Sequence, residues 1–230
     1  MIYLVFVFLT MFVFPLSAEC PCKRAAQPVS PLFQDELQAG MHWIKKPGMT
    51  GDMLAGALKM NFPAYGIIAR EENAWDKEKV WVITQEEDAL LMGFVSQGRA
   101  VLGICYFPAS DILYWAVQGQ GAYVRRGKES AKRLFVAEAS RLEMLKMLDS
   151  KESPAVKMFR LLEGSYNLYS SSQPEELKNF VVGEILLREA GGIVTDERGR
   201  PIEYHLRSSG IVVASSNPFL HQRFLKEKQP

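Results

Sequence analysis

Two adjacent glutamates, Glu71 and Glu72, follow the apolar run Gly66-Ile-Ile-Ala. Such a pair offers the hard oxygen donors that a divalent ion like magnesium takes; a solvated strand end is the plainer use of the same residues. A second acidic run, Glu86-Glu87-Asp88, follows Val80-Trp-Val-Ile. Three consecutive side chains in a tight hairpin cannot all aim at one octahedral ion, so this run reads as an acidic turn. The remaining reactive types are dispersed. His42, His205 and His221 have no ligand spacing, and Ser153 and the run Ser170-Ser171-Ser172 have no partnered base, which argues against a serine nucleophile. Cys20-Pro-Cys22 lacks the C-x-x-C spacing of redox and zinc sites, and Cys105 sits in an apolar run as inert core.

These groups must be held by elements that the pattern of apolar residues announces. Met53, Leu54, Ala57 and Leu58 share one face of a helix that starts near Gly51 and stops at Pro63, with Asp52 as a plain N-cap. Gly66–Ala69 and Val80–Ile83 read as buried strands. Ala89–Val95 and Ala100–Tyr106 flank the turn signal Ser96-Gln-Gly98 and make a hairpin. Asp111–Trp115 and Ala122–Val124 are further strands, joined through Gly119-Gln-Gly121. Helical periodicity returns over Ser153–Glu163 and Glu176–Glu189, and Gly191-Gly192 stops the second helix. Ile193–Thr195 and Ile211–Ala214 are the last strands, around the Asp196-Glu-Arg-Gly turn. Alternating blocks of helix and strand point to a layered α/β or α+β packing.

The 230-residue chain is long enough for one large domain, and 48% of it is apolar. Lys plus Arg number 27 against 26 for Asp plus Glu, so no basic field exists to hold nucleic acid by its phosphates. The first eighteen residues carry no charge and are apolar from Ile2 to Leu16, with Ala18 as a small cleavage residue. Residues 1–18 are therefore expected to be a signal peptide or membrane anchor, giving an exported or membrane-anchored protein. A mis-assigned start would leave the rest cytoplasmic. Residues 19–48 read as a linker with one short helix, Leu32–Trp43, and residues 49–230 as the folded domain.

Several of these segments, in order from about Met49 to Asn217, resemble the inositol monophosphatase superfamily. Gly66-Ile-Ile-Ala-Arg-Glu71-Glu72-Asn73 is similar to the strand that delivers paired glutamates to that family's metal site. Gly98–Pro108 resembles its hairpin "G-x-P-x-x-G-V-V-x-x-P", Leu113–Ala122 its "Y-x-A-x-x-G-x-G-A", and Glu184–Asp196 its closing helix, glycine pair and strand. Ser153-Pro-Ala-Val-Lys157 followed by Leu162-Glu-Gly164-Ser-Tyr-Asn-Leu-Tyr169 resembles "S-S-x-K…A-E-G-x-A-x-L-Y" of the 3′(2′),5′-bisphosphate nucleotidases. The resemblance implies a sugar-phosphatase-like sandwich, truncated at its N-terminal side, and a phosphoric monoester hydrolase dependent on Mg²⁺.

That chemistry needs phosphoryl charge neutralised and a water activated, both of which magnesium supplies. The family brings carboxylates from three places, and only one is present as expected. Glu71 and Glu72 are the implied vestigial metal residues. The loop D-P-x-D-G-T is absent, because Ile83 runs through Thr84-Gln85 into the acidic turn. Asn179, preceded by Lys178, replaces the family aspartate, although it also reads as a helix-start residue. Ser153 and Lys157 are the implied phosphate or substrate contacts. The expected function is a diverged, catalytically impaired or inactive relative; the rival is an active hydrolase whose metal site is rebuilt from Glu71, Glu72 and the acidic turn. Expected partners are a phosphorylated small molecule, a second copy of the chain in a homodimer, no nucleic acid, and membrane only through the N-terminal segment.

Overall fold

A computed structural model describes residues 33–69, 74–136, 147–148, 153–204 and 209–228. Two helices come first, α1 (Gln34–Ile44) and α2 (Gly51–Asn61). The α2 N-cap is Thr50, whose hydroxyl accepts a hydrogen bond from the Met53 amide at 3.3 Å. Leu54, Ala57 and Leu58 are buried at i, i+3 and i+4. Met53 is not with them: it is 55% exposed, one step of about 100° off that stripe. The α1 segment, part of the expected linker, is packed onto the sheet. Ile44 is buried in the core, and the Tyr65 hydroxyl donates to the buried Glu36 carboxylate at 2.9 Å.

Seven strands follow in chain order across one sheet: β1 (Gly66–Ile68), β2 (Lys79–Gln85), β3 (Leu90–Ser96), β4 (Arg99–Phe107), β5 (Ile112–Val117), β6 (Gly121–Arg126) and β7 (Lys132–Leu134). Only the β1–β2 pair is parallel. The β3–β4 hairpin closes through Gln97 and Gly98, both with positive φ, the pair of conformations that matches strand twist in a two-residue turn. The α1 and α2 face of the sheet buries Trp81, Phe94, Leu102 and Ile104 in one core.

The opposite face carries α3 (Pro154–Leu162) and α4 (Val181–Glu189). Gly93 and Gly103 are cross-strand partners beneath α4. A Cβ on Gly93 would lie 2.4 Å from Val181 Cγ1, and one on Gly103 2.5 Å from Ile185 Cγ2. The missing side chains let the helix backbone sit directly on the sheet. Beyond the helices lies a second sheet, ordered β11 (Ile193–Asp196), β13 (Val212–Ser215), β9 (Leu168–Ser170), β8 (Met147–Leu148). A short ladder pairs β10 (Glu175–Glu176) with β12 (Ser209–Gly210), and α5 (Pro218–Lys228) packs on β13. The result is the layered α/β architecture expected from the sequence.

The helix expected over Glu176–Glu189 is broken into two pieces: a 3₁₀ turn, Leu177–Phe180, and then α4. The tighter turn eclipses i and i+3, so Leu177 and Phe180 both point into the core. At the other end of α4, the Gly192 amide donates to the Leu187 carbonyl at 2.9 Å and the Gly191 amide to Arg188 at 3.1 Å, the paired bonds of a Schellman stop. Gly191 has φ +103. Gly192 is needed for space instead: its Cβ would fall 2.8 Å from the Ser215 carbonyl oxygen.

Candidate functional site

Because β1 and β2 run parallel, with Gly66 opposite Val80 and Ile68 opposite Val82, both strands end at the same corner. The start of α2 is fastened there, since the Gly51 amide donates to Gln85 Oε1 at 2.9 Å. The 3₁₀ turn before α4 closes the corner from the other side of β2. Between them lies a cavity of about 500 Å³ lined by Gly51, Asp52, Ala69, Ile83, Thr84, Gln85, Glu86, Lys178 and Asn179. A neighbouring groove of about 410 Å³ between α2 and β1 shares Asp52 and Ala69.

The chain passes from β2 to β3 without a loop. Gln85 pairs with Leu90, and the Glu86 amide donates to the Ala89 carbonyl at 2.9 Å. Of the acidic turn, only Glu86 lines the cavity; Glu87 and Asp88 are exposed. Beyond Gln85 the chain has left the strand and turns back to Ala89, which carries Glu87 and Asp88 out to solvent.

The sequence-derived candidates separate into groups. Glu71 and Glu72 lie outside the described residues; Ala69, two positions before Glu71 in the chain, lines the cavity. Asn179 lines the cavity and caps nothing: the α4 N-cap is Phe180, with no side-chain bond. Asp52, expected as an N-cap, is displaced from that role by Thr50 and lines the cavity instead. Ser153 is the N-cap of α3, its Oγ accepting from the Val156 amide at 3.4 Å. The Lys157 ammonium is 3.3 Å from Glu175 Oε1 and 5.0 Å from the Tyr169 ring centre, and the Tyr169 hydroxyl donates to Glu175 Oε2 at 2.8 Å. Burial first, and then the Glu175 carboxylate, pushes the Tyr169 phenol well up from its ordinary value. Ser153 and Lys157 thus serve the packing of α3, and neither is in the cavity lining.

Sequence reasoning passed over Thr84 and Gln85 as cavity residues. Their signal was faint: two polar residues ending an otherwise apolar strand. Lys178 is brought in by the 3₁₀ turn, with its ammonium 3.1 Å from Glu176 Oε2.

Magnesium is the ion that the family resemblance implies for this corner, and the described groups do not make a site for it. Two carboxylates, Asp52 and Glu86, share the lining with a lysine. The Gln85 oxygen already accepts from Gly51, and Asn179 offers only a neutral amide. Among the described residues, no group of three or more His, Cys, Asp or Glu is gathered to hold a metal. Elsewhere, Cys105 is buried and its thiol is pushed up by that burial, which suits the inert core role expected of it. No helix among the described residues is long and apolar enough to cross a membrane.

Comparisons with known proteins agree with this architecture. The chain is 26% identical over 183 residues to a probable 3′(2′),5′-bisphosphate nucleotidase 4 of Arabidopsis thaliana, covering 61% of this chain and 52% of the relative. It is 23% identical over 150 residues to the 3′(2′),5′-bisphosphate nucleotidase CysQ of Escherichia coli, covering 58% and 61%. It therefore spans only half to three-fifths of the length of these relatives. Among solved structures, an inositol monophosphatase from Zymomonas mobilis superposes with a TM-score of 0.62 at 17% identity, covering 86% of this chain and 98% of that one. The CysQ of Bacteroides thetaiotaomicron superposes with a TM-score of 0.57 at 15% identity, covering 78% and 93%. The model of the inositol monophosphatase family matches residues 81–229, nearly two-thirds of the chain, and the protein belongs to that family.

Proposed function

We propose that this protein is a diverged relative of the bisphosphate nucleotidases and inositol monophosphatases in which phosphate-ester hydrolysis is impaired or lost. The observation that carries the reading is the direct β2–β3 turn, with Gln85 opposite Leu90 and no loop between strand and hairpin. Hydrolysis of a phosphate monoester needs several positive charges or a bridging metal on the phosphoryl oxygens, and an activated water. In the cavity a phosphoryl group would meet Asp52 and Glu86 with Lys178 as the only described cation in the lining. What remains lacks the positive charge that turnover of a phosphate ester requires.

The test is magnesium-dependent phosphate release from 3′-phosphoadenosine 5′-phosphate and from inositol monophosphate. Turnover is expected far below the ~1–10³ s⁻¹ of ordinary enzymes. Asn179→Asp alone restores little, because members of a catalytic unit are non-additive. Recovery requires a D-P-x-D-G-T loop grafted after Ile83 together with that substitution. The second reading, an active magnesium hydrolase with a rebuilt site, is favoured by one fact: Asp52 and Glu86 share a wall with Ala69, which precedes Glu71. Ordinary turnover by the unmodified chain establishes that reading in place of the first. Export or anchoring by residues 1–18 is a separate proposal, and recovery of intact Met1 in a soluble cytoplasmic fraction rules it out.

A further inference from the structure

On the face of the seven-stranded sheet that carries α1 and α2, the helices cover only some of the strands. The first helix lies against β3 and β4 and the second against β1 and β2, so β5, β6 and β7 extend past both. Register fixes what stands on that extension. One cross-strand row reads Ile104, Trp115, Tyr123, Arg133, and the next reads Tyr106, Leu113, Arg125. Neither row holds an acid. The Trp115 and Tyr123 rings, both half-buried, stack on each other with centres 5.5 Å apart and planes at 17°. The Arg133 guanidinium lies 5.3 Å from the centre of the Phe135 ring, and Phe135 is 69% exposed.

The end of α1 adds two cations to this face. Lys45 reaches the Asp111 carboxylate at 3.1 Å and stands 5.5 Å from the centre of the Tyr106 ring. Lys46 sits 3.4 Å from the centre of the Trp43 ring. Asp111 also accepts from the Tyr106 hydroxyl at 3.1 Å, so the acid at the rim is already engaged. Arg125 and Arg133 have no ion pair among the described residues. Nor does Arg125 Nε make a hydrogen bond among them. In a chain with a net charge of only +1, this is a local excess of cations set among aromatic rings.

We propose that this face is a docking surface for an anionic lipid bilayer. A broad sheet face is not the concave site that a small molecule takes. A second copy would set the same arginines against one another in a two-fold contact. A single strand of nucleic acid needs open ring faces for its bases, and Trp115 and Tyr123 turn theirs to each other. Phe135 favours lipid over an acidic protein segment, because the acyl boundary receives a protruding apolar ring without a matching pocket. The remaining groups suit the same surface. Lysine and arginine stems lie along apolar ground while their charged ends reach headgroup phosphates, and Trp and Tyr are the residue types that settle at headgroup level. Beyond the membrane contact expected of residues 1–18, this one is made by the folded domain. It holds whether or not the cavity at the strand ends turns over phosphate.

Co-sedimentation of the full chain with phosphatidylcholine vesicles, with and without phosphatidylglycerol, tests the assignment. The native chain is expected to partition more strongly onto the anionic vesicles and to come off as salt is raised. Arg125→Gln with Arg133→Gln is expected to weaken that partitioning roughly thirtyfold, about fivefold for each charge, and to leave binding to neutral vesicles unchanged. The apolar run from Ile2 to Leu16 is common to both proteins and cannot produce that difference. Lys46→Gln with Arg133→Gln takes the place of the arginine pair if circular dichroism shows that the first double variant does not fold. Phe135→Ser should lower binding to both kinds of vesicle. Arg198→Gln with Arg223→Gln removes the same charge from two exposed arginines outside this sheet and should change neither. Equal binding of the native chain and the face variant to anionic vesicles overturns the assignment, as does an equal loss in the Arg198 and Arg223 control or no loss with Phe135→Ser. Arginine-dependent binding to poly-glutamate or to a single-stranded oligonucleotide, with none to vesicles, overturns it in favour of an acidic protein or a nucleic acid.

Discussion

Glu184 and Glu176 are both carboxylates paired with a basic side chain, one inside α4 and the other just before the turn that leads into it. Their surroundings differ at every point. Glu184 is 2% exposed, bonded to Arg188 and to the Tyr204 hydroxyl, and Arg188 Nη2 donates onward to the Ala100 carbonyl at 2.7 Å. Burial raises the Glu184 carboxyl above its usual range, against the opposing pull of Arg188 and Tyr204. The side chain of Glu176 is 63% exposed, and its lysine borders an open cavity. A carboxylate sealed in the core cannot lose its partner without stranding a charge. One at a wet corner can, because solvent replaces what is removed. This contrast separates a core pair that the fold locks in place from a corner pair that solvent can replace.

The largest break in that comparison is Glu184→Ala. It leaves Arg188 and Tyr204 without their acceptor and is expected to cost about 3–5 kcal/mol, read as a lower urea midpoint. Arg188 reaches partly to solvent, which favours the low end. An unchanged midpoint would place the pair outside the folding core. Next comes the stop of α4. Gly191→Val with Gly192→Val forces a β-branched residue into positive φ and a Cβ against the Ser215 carbonyl, which is backbone and cannot give way. About 3 kcal/mol is expected for the double change, and an unaltered melting temperature would mean that the helix ends elsewhere.

A pH titration sharpens the same contrast in a second buried group. His221 is 1% exposed, and its Nε2 is 2.8 Å from Thr195 Oγ1. That hydroxyl donates its hydrogen to the Asp196 carbonyl, so the ring must be the donor to Thr195. Burial lowers its pKa from 6.5 to about 4. Between these values the unfolded chain binds a proton that the folded chain refuses, so stability falls as pH drops from 6.5 toward 4. The loss reaches about 3 kcal/mol by pH 4, and His221→Leu should flatten that part of the profile. Identical pH profiles for the two chains would assign the acid sensitivity to other groups. The smallest effect belongs to the exposed partner: Glu176→Ala should change stability by less than about 1 kcal/mol. A loss as large as that of Glu184→Ala would erase the distinction between the core pair and the corner pair.

Local signals were enough for most of the elements. Leu54, Ala57 and Leu58 mark their helix by spacing alone, Ser96-Gln-Gly98 marks its hairpin, and Gly191-Gly192 marks the end of α4, because each signal is completed within a turn or between neighbouring strands. The family resemblance added the particular sandwich and a corner to inspect. The contents of that corner were not legible in the same way. Asp52 read as a cap until Thr50 took the cap, and Lys157, read as a phosphate contact, sits against Glu175 and Tyr169 away from that cavity. Gln85 holds the start of α2 across 34 residues of chain, and Asn179 lines the same cavity as Thr84 while Gly93 and Gly103 let α4 lie close on the sheet. Periodicity of 2 or 3.6 residues tells which way a side chain leaves its own element. Which side chains then meet depends on how elements far apart in the chain are packed, and only the tertiary structure decides that.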